Sequence, residues 1–231
     1  MHSERPPQPV RRRARTLDAK ADRRALLIDA ALRLSRRLPF DEVTMAAVAA
    51  ELGVTKGTVY LYFPTKESLF LAVLDAQMQA WYAAVDHALT ALTAPTGSEV
   101  AAVLADAFLA RPDLTRLLAL LEGVLERNID LETAVAFKRA TLTRTAHTAA
   151  LLEAVWPSLP KGSGVGVLLR CRALLVGLEV MAHPSAVVRA AFDANPELAP
   201  FEIDFAREVR RGITALVLGA GTGVAIAPPV N

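Results

Sequence analysis

Apolar residues recur along this chain at intervals of three and four, and almost no segment alternates with period two, so the pattern predicts an all-α fold. A first helix over residues 18–38 puts Leu27, Ala30, Ala31, Leu34 and Leu38 on one face and charge on the other, and Pro39 stops it. Thr44 is placed to cap a helix over residues 45–52. Gly53 supplies the turn, and Thr55 caps a short helix that runs to Tyr62. Pro64 ends that element, and Thr65 caps a fourth helix to Leu92 that carries Leu69, Phe70, Val73, Leu74, Gln77, Trp81, Val85 and Leu89. Further helices are predicted over 98–110, 112–127, 131–155, 165–182, 185–194 and 201–218, punctuated by Pro112, Asn128, Trp156-Pro157, Pro160-Lys161-Gly162 and His183-Pro184. Residues 1–16, rich in Pro and Arg and without periodicity, read as a disordered basic arm, and the Gly/Pro-rich stretch 219–231 reads as a flexible tail.

Composition sharpens this picture in two ways. With 231 residues, 53% of them hydrophobic, the chain has apolar material for one large or two modest cores. Its formal net charge of +2 conceals an asymmetry: residues 1–66 hold 13 Lys and Arg against 7 Asp and Glu, and residues 67–231 hold 13 against 17. A nucleic-acid-binding head on a differently employed body gives this split, and so does charge clustered on a solvated arm. Arg11, Arg12, Arg13 and Arg15 are followed by further charges and no apolar run, so no export signal is expected. The longest apolar run, 164–182, carries Arg170, Arg172 and Glu179, which argues for a buried helix and against a membrane span. The single cysteine, Cys171, excludes an intramolecular disulfide and fits a reducing, cytoplasmic setting, where it reads as a small buried hydrophobe.

The residues that carry chemistry lie between Thr44 and Lys66. Two short helices crossing steeply need a small residue where they touch, and Ala49 supplies it; the tight turn four positions on wants positive φ, and Gly53 supplies that. Val59 returns an apolar side chain to the corner, which Val48, Leu52 and Val54 complete. The second helix then presents Thr55, Lys56, Thr58, Tyr60 and Tyr62 with no carboxylate among them, while Gly57 lets the backbone approach a surface closely. Such a face suits a phosphate-lined groove: the helix N-terminus favours anions, and Lys56 can reach a guanine edge. Thr44 and Lys66, at two other helix starts, are further candidates for phosphate contact. Packing is the lesser alternative for Tyr60 and Tyr62.

The run TMAAVAAELGVTKGTVYLYFPTKESLFLAVL resembles the N-terminal domain of the tetracycline-repressor (TetR) family, most specifically over residues 53–67, with a match extending over 22–75. The resemblance implies a DNA-binding domain over 17–66, a ligand-binding and dimerisation domain over 67–218, and a homodimer on a palindromic double-stranded DNA operator. It also implies phosphate or base contacts from Thr44, Thr55, Lys56, Gly57, Thr58, Tyr60, Tyr62 and Lys66. Leu61 departs from the polar or aromatic residue often found there and is assigned no role. The expected function is that of a one-component regulator, a repressor released by a small ligand.

For the dimer, the resemblance points to the last two long helices. The sequence supports this independently, because a helix over 165–182 that is apolar on nearly all sides must be buried. Leu168, Leu169, Leu175, Leu178, Val180, Ile213, Leu216 and Val217 are expected in or near that interface. For the effector, polar residues that interrupt apolar faces are the candidates: Glu122, Glu126, Arg127, Arg144, His147, Trp156 and Glu179. The apolar body suggests a small hydrophobic or amphipathic molecule. His2, His87, His147 and His183 share no ligand spacing, and no catalytic or phosphate-loop constellation is apparent, so no metal, cofactor or enzymatic activity is expected. A small helical enzyme and a ligand-free architectural DNA-binding protein are the competing classes.

Overall fold

The computed structural model describes residues 9–222, with side chains from Ala19 onward, and places helices and no strand among them. The chain divides into two compact units, Met1–Val73 and Leu74–Asn231. In the first lie α1 (Pro9–Ser35), a 3-10 turn (Phe40–Glu42), α2 (Met45–Glu51), α3 (Lys56–Tyr60) and the start of α4 (Lys66–Thr90). The helix expected from Asp18 begins at Pro9, so the backbone of residues 9–16 is helical in place of the disorder expected there. Pro9 suits a first turn, where its missing N–H has no intrahelical partner, and Arg and Ala are good helix formers. Residues 1–8 of the expected arm lie outside the described residues.

The first unit closes around the apolar face of α1. Leu27, Ala30, Ala31 and Leu34 are buried as the periodicity predicts, and Val43, Met45, Val48, Ala49, Val59, Phe63, Leu69 and Phe70 complete the core. Phe40 packs edge-on against Phe70, with ring centroids 5.0 Å apart. Burial of these side chains contributes roughly 1.5–3 kcal/mol each for the larger ones and drives the short helices to form, since five to seven residues do not hold a helix alone.

The second unit is a helical body built from the rest of α4 with α5 (Gly97–Leu109), α6 (Pro112–Leu120), α7 (Leu131–Val155), α8 (Gly164–Ala182), α9 (Ala186–Ala194) and α10 (Phe205–Gly221). Its termini are fixed by side chains: Thr96 and Glu99 form a capping box on α5, and Asp130 and Asp204 cap α7 and α10. Helix α10 packs on α5 and α8, and α8 also packs on α6 and α7. Two of these contacts depend on glycine. A Cβ on Gly164 would lie 2.6 Å from the Ala149 carbonyl oxygen, and one on Gly212 would lie 2.5 Å from a Leu174 methyl.

Two expected elements differ. The helix expected over 112–127 is α6 followed by a π turn, Leu121–Leu125, in which the Glu126 N–H donates to the Leu121 carbonyl at 3.1 Å. The wider turn lets both Leu121 and Leu125 be fully buried, and Gly123, a poor helix former, sits inside it. The helix expected from residue 201 starts at Phe205, because Pro196 and Pro200 hold Pro196–Phe201 as a 3-10 helix and Asp204 makes the cap. Of the expected tail, Gly219 to Gly221 finish α10, and residues 223–231 lie outside the described residues.

Candidate functional site

The corner between α2 and α3 has the local chemistry the sequence predicts. Thr44 Oγ1 accepts the Ala47 N–H at 3.1 Å and Thr55 Oγ1 accepts the Thr58 N–H at 3.2 Å, so both threonines are N-caps. Gly53 has φ of 63°, and the chain turns so that the Val54 N–H reaches the Ala49 carbonyl at 3.0 Å. Val59 points inward and is fully buried. That leaves Thr55, Lys56, Gly57 and Tyr60 exposed together on α3, with Thr58 and Tyr62 half-buried and Thr44 exposed at the start of α2. The Lys56 ammonium lies 5.6 Å from the Tyr60 ring centroid.

Two features of this corner were not visible in the sequence. Lys66 is half-buried; its Nζ donates to the Phe40 carbonyl at 2.8 Å and sits 4.1 Å from the Phe40 ring centroid, so it ties α4 to the 3-10 turn. Leu61, assigned no role, is 81% exposed beside Tyr60. Glu51 at the end of α2 is held below the usual carboxylate range by hydrogen bonds from Arg37 and Arg33, which keeps its charge engaged with α1 and its flank.

Within the second unit a small, partly open apolar hollow lies among α4, α5, α6, α7 and α8. Trp81 and Phe108 stack in its wall with centroids 4.4 Å apart. Its polar lining comes from Trp81, Tyr82, Thr141, Thr145 and Arg172, and none of the effector candidates read from the sequence lines it. Thr145 Oγ1 donates its one proton to the Thr141 carbonyl at 2.8 Å, so in the 2.6 Å contact with Tyr82 the phenol is the donor. Burial raises the Tyr82 phenol above its ordinary pKa, which keeps it protonated for that role.

The sequence candidates lie elsewhere in the same unit. Glu122 is exposed in the π turn and pairs with Arg172. Glu126 pairs with Lys138 at 2.6 Å, and Arg127 is exposed. Arg144 makes a two-pronged pair with Asp75 at 2.7 and 3.2 Å, and His147 is exposed with Nε2 3.6 Å from Asp86. Trp156 is buried, wedged so closely against Gly97 and Gly221 that a Cβ on either would fall within 2.8 Å of its ring. Glu179 is buried, accepting from Thr115 Oγ1 at 3.1 Å with His183 at 3.3 Å. Glu122, Glu126, Arg144, His147 and Glu179 are thus each engaged with another side chain of the body. The lining residues were missed because a hollow shared by five helices leaves no spacing signal in one.

The residues expected at a dimer interface divide into two sets. Leu168, Leu175, Ile213 and Val217 are buried in the chain's own core, and Leu178 and Leu216 are half-buried. Leu169 and Val180 are exposed and form a stripe on α8 with Ala173, Gly177 and Met181. On the neighbouring α10, Ala215, Leu218 and Gly219 are exposed as well, and a Cβ on Gly177 or Gly219 would meet nothing within 4 Å. Cys171, on the inner side of α8, is fully buried, and that burial pushes its thiol up to about 12 against the opposing charge of Arg170. No group of His, Cys, Asp and Glu able to hold a metal ion occurs among the described residues. No described helix is long and apolar enough to cross a membrane.

An all-helical chain with a capped two-helix corner, a carboxylate-free exposed face and a separate helical body is the architecture of a helix-turn-helix transcription regulator. The chain belongs to the TetR family: residues 27–73 match the family described as bacterial regulatory proteins, tetR family, and residues 75–223 match the tetracyclin repressor-like C-terminal domain. Proteins of this family are DNA-binding regulators of transcription and not enzymes. The chain is 34% identical over 74 residues to the HTH-type transcriptional repressor KstR of Mycolicibacterium smegmatis, a stretch covering 32% of this chain and 36% of that protein. It is 31% identical over 73 residues to the HTH-type transcriptional regulator EthR of the same organism, covering 32% and 34%. The matches thus span about a third of these curated relatives. A tetR family regulator structure from Shewanella sp. PV-4 shares the fold with a TM-score of 0.52 at 18% identity, covering 85% of this chain and 96% of that one.

Proposed function

We propose that this protein is a one-component, cytoplasmic transcriptional repressor that binds a palindromic operator as a homodimer and leaves it when a small apolar or amphipathic ligand enters the body. The observation that carries the reading is the exposed face of α3, where Thr55, Lys56, Gly57 and Tyr60 lie together beside the N-terminus of the helix. Amide donors, hydroxyls, one cation and no carboxylate suit phosphate and base edges in a major groove. Thr44, Thr58, Tyr62 and Lys66 are assigned supporting contacts.

The homodimer reading rests on the exposed stripe of α8 and its continuation on α10. Apolar and small residues facing outward on two packed helices suit a four-helix bundle with a second copy, the small residues allowing close approach. A two-fold axis then presents two α3 helices to half-sites one DNA turn apart, roughly 34–36 Å. The ligand reading rests on the hollow, which is mostly apolar with a few polar groups. A ligand that binds the released state more tightly than the DNA-bound one shifts the population toward release, and α4, which carries residues of both units, is the connecting element.

An electrophoretic shift assay with the purified chain and the DNA upstream of its own gene tests this reading. Retardation by a dimer, lost on adding specific competitor, is the expected result; absence of retardation even at low salt overturns it.

A further inference from the structure

Resting on the effector reading above, we infer that the ligand is an amphiphile with a carboxylate head, held by Trp81, Thr141 and Arg172 of the hollow's lining, and that Glu122 is the internal competitor it displaces. The polar groups of the hollow are unequal in what they still offer. Tyr82 and Thr145 are committed to each other, and Thr145 to the Thr141 carbonyl. Two lining residues hold buried polar atoms with no hydrogen-bond partner: the indole Nε1 of Trp81 and the hydroxyl of Thr141. The indole N–H can only donate, and a buried donor without an acceptor is costly to the fold. A ligand oxygen can meet both groups, whereas an apolar ligand meets neither and an ammonium, which has no acceptor, leaves the indole N–H unmet.

Arg172 decides between a neutral oxygen and an anion. It lines the hollow, no Asp or Glu does, and its guanidinium is paired with Glu122, a more exposed side chain in the π turn after α6. A surface ion pair of that kind is weakly held, because water screens it and the glutamate must be ordered to make it. A ligand carboxylate inside the apolar hollow meets the same guanidinium under less screening and with the Trp81 and Thr141 donors beside it. Exchange of Arg172 from Glu122 to the ligand removes one tie between α8 and the π turn, so occupancy is read where α6 and α8 pack.

Binding of decanoate, decanol and decylamine to the full chain without DNA, followed by calorimetry, tests this. Decanoate should bind about tenfold or more tighter than decanol, with decylamine weakest. Arg172→Gln should abolish most of decanoate's advantage over decanol. Glu122→Gln should tighten decanoate binding several-fold, a gain that misfolding cannot imitate. Equal or tighter binding of decanol, or a Glu122→Gln variant with unchanged decanoate affinity, overturns the inference while leaving operator binding untouched. Decanoate bound in the expected pattern but without effect on retarded DNA supports the site and overturns its role as the effector site.

Discussion

Two lysines flank the helix corner, and they differ in what holds their ammonium groups. Lys66 is tied to the Phe40 carbonyl and ring, whereas Lys56 stands exposed over Tyr60. Lys56→Ala and Tyr60→Ala are therefore expected to weaken operator binding about tenfold, with the melting temperature and dimer unchanged, as anisotropy and calorimetry would show. Lys66→Ala should in addition destabilise the first unit by about 1–2 kcal/mol, because its loss leaves the Phe40 carbonyl without a charged donor. The roles of Thr55 and Gly53 were legible in the sequence because caps and tight turns are local: their partners lie within five residues. The tie from Lys66 to Phe40 was not, since it bridges 26 positions. Cys171 follows the same logic of environment. With its thiol pushed up to about 12 by burial, it should resist iodoacetamide at pH 8 in the native protein and react once the chain is unfolded in urea. Native-state alkylation at the rate of a free thiol would contradict its placement.

At the scale of elements, helix faces and the breaks at prolines were legible, and the change of turn inside residues 112–127 was not. The period of apolar residues marks which side of α1 or α5 is buried, because each helix reports its own face. The π turn after α6 depends on two leucines reaching a core made by other helices, and no local signal in residues 112–127 announces that. The same holds for α8, which reads as apolar all round yet has one side in the core and one side open. Its glycines separate these two sides. Gly164→Ala places a methyl 2.6 Å from the Ala149 carbonyl oxygen and should destabilise the body by about 1–3 kcal/mol in urea titration, since backbone must shift to admit it. Gly177→Arg meets nothing within 4 Å in the monomer, so the fold should survive. The charge and bulk it adds to the open stripe should raise the dimer dissociation constant by tenfold or more in analytical ultracentrifugation. A Gly177→Arg chain that stays dimeric at nanomolar concentration would place the interface elsewhere.

For the whole molecule, the charge split falls after Lys66 and the boundary between the two compact units after Val73, and the two family matches divide the chain between residues 73 and 75. What the sequence left hidden is the hollow, because its wall is assembled from residues between Met78 and Arg172 that only the packed body brings together. On the reading proposed above, the exposed face of α3 meets DNA in two copies. Titrating labelled DNA from upstream of the gene with wild-type protein and Lys56→Ala across a salt series tests this most directly. Saturation at two chains per palindrome is expected, with log affinity that falls linearly with the logarithm of salt. For Lys56→Ala a shallower slope is expected, by about one for each phosphate the lysine no longer neutralises. Binding that is independent of sequence and unaffected by Lys56→Ala would contradict this reading.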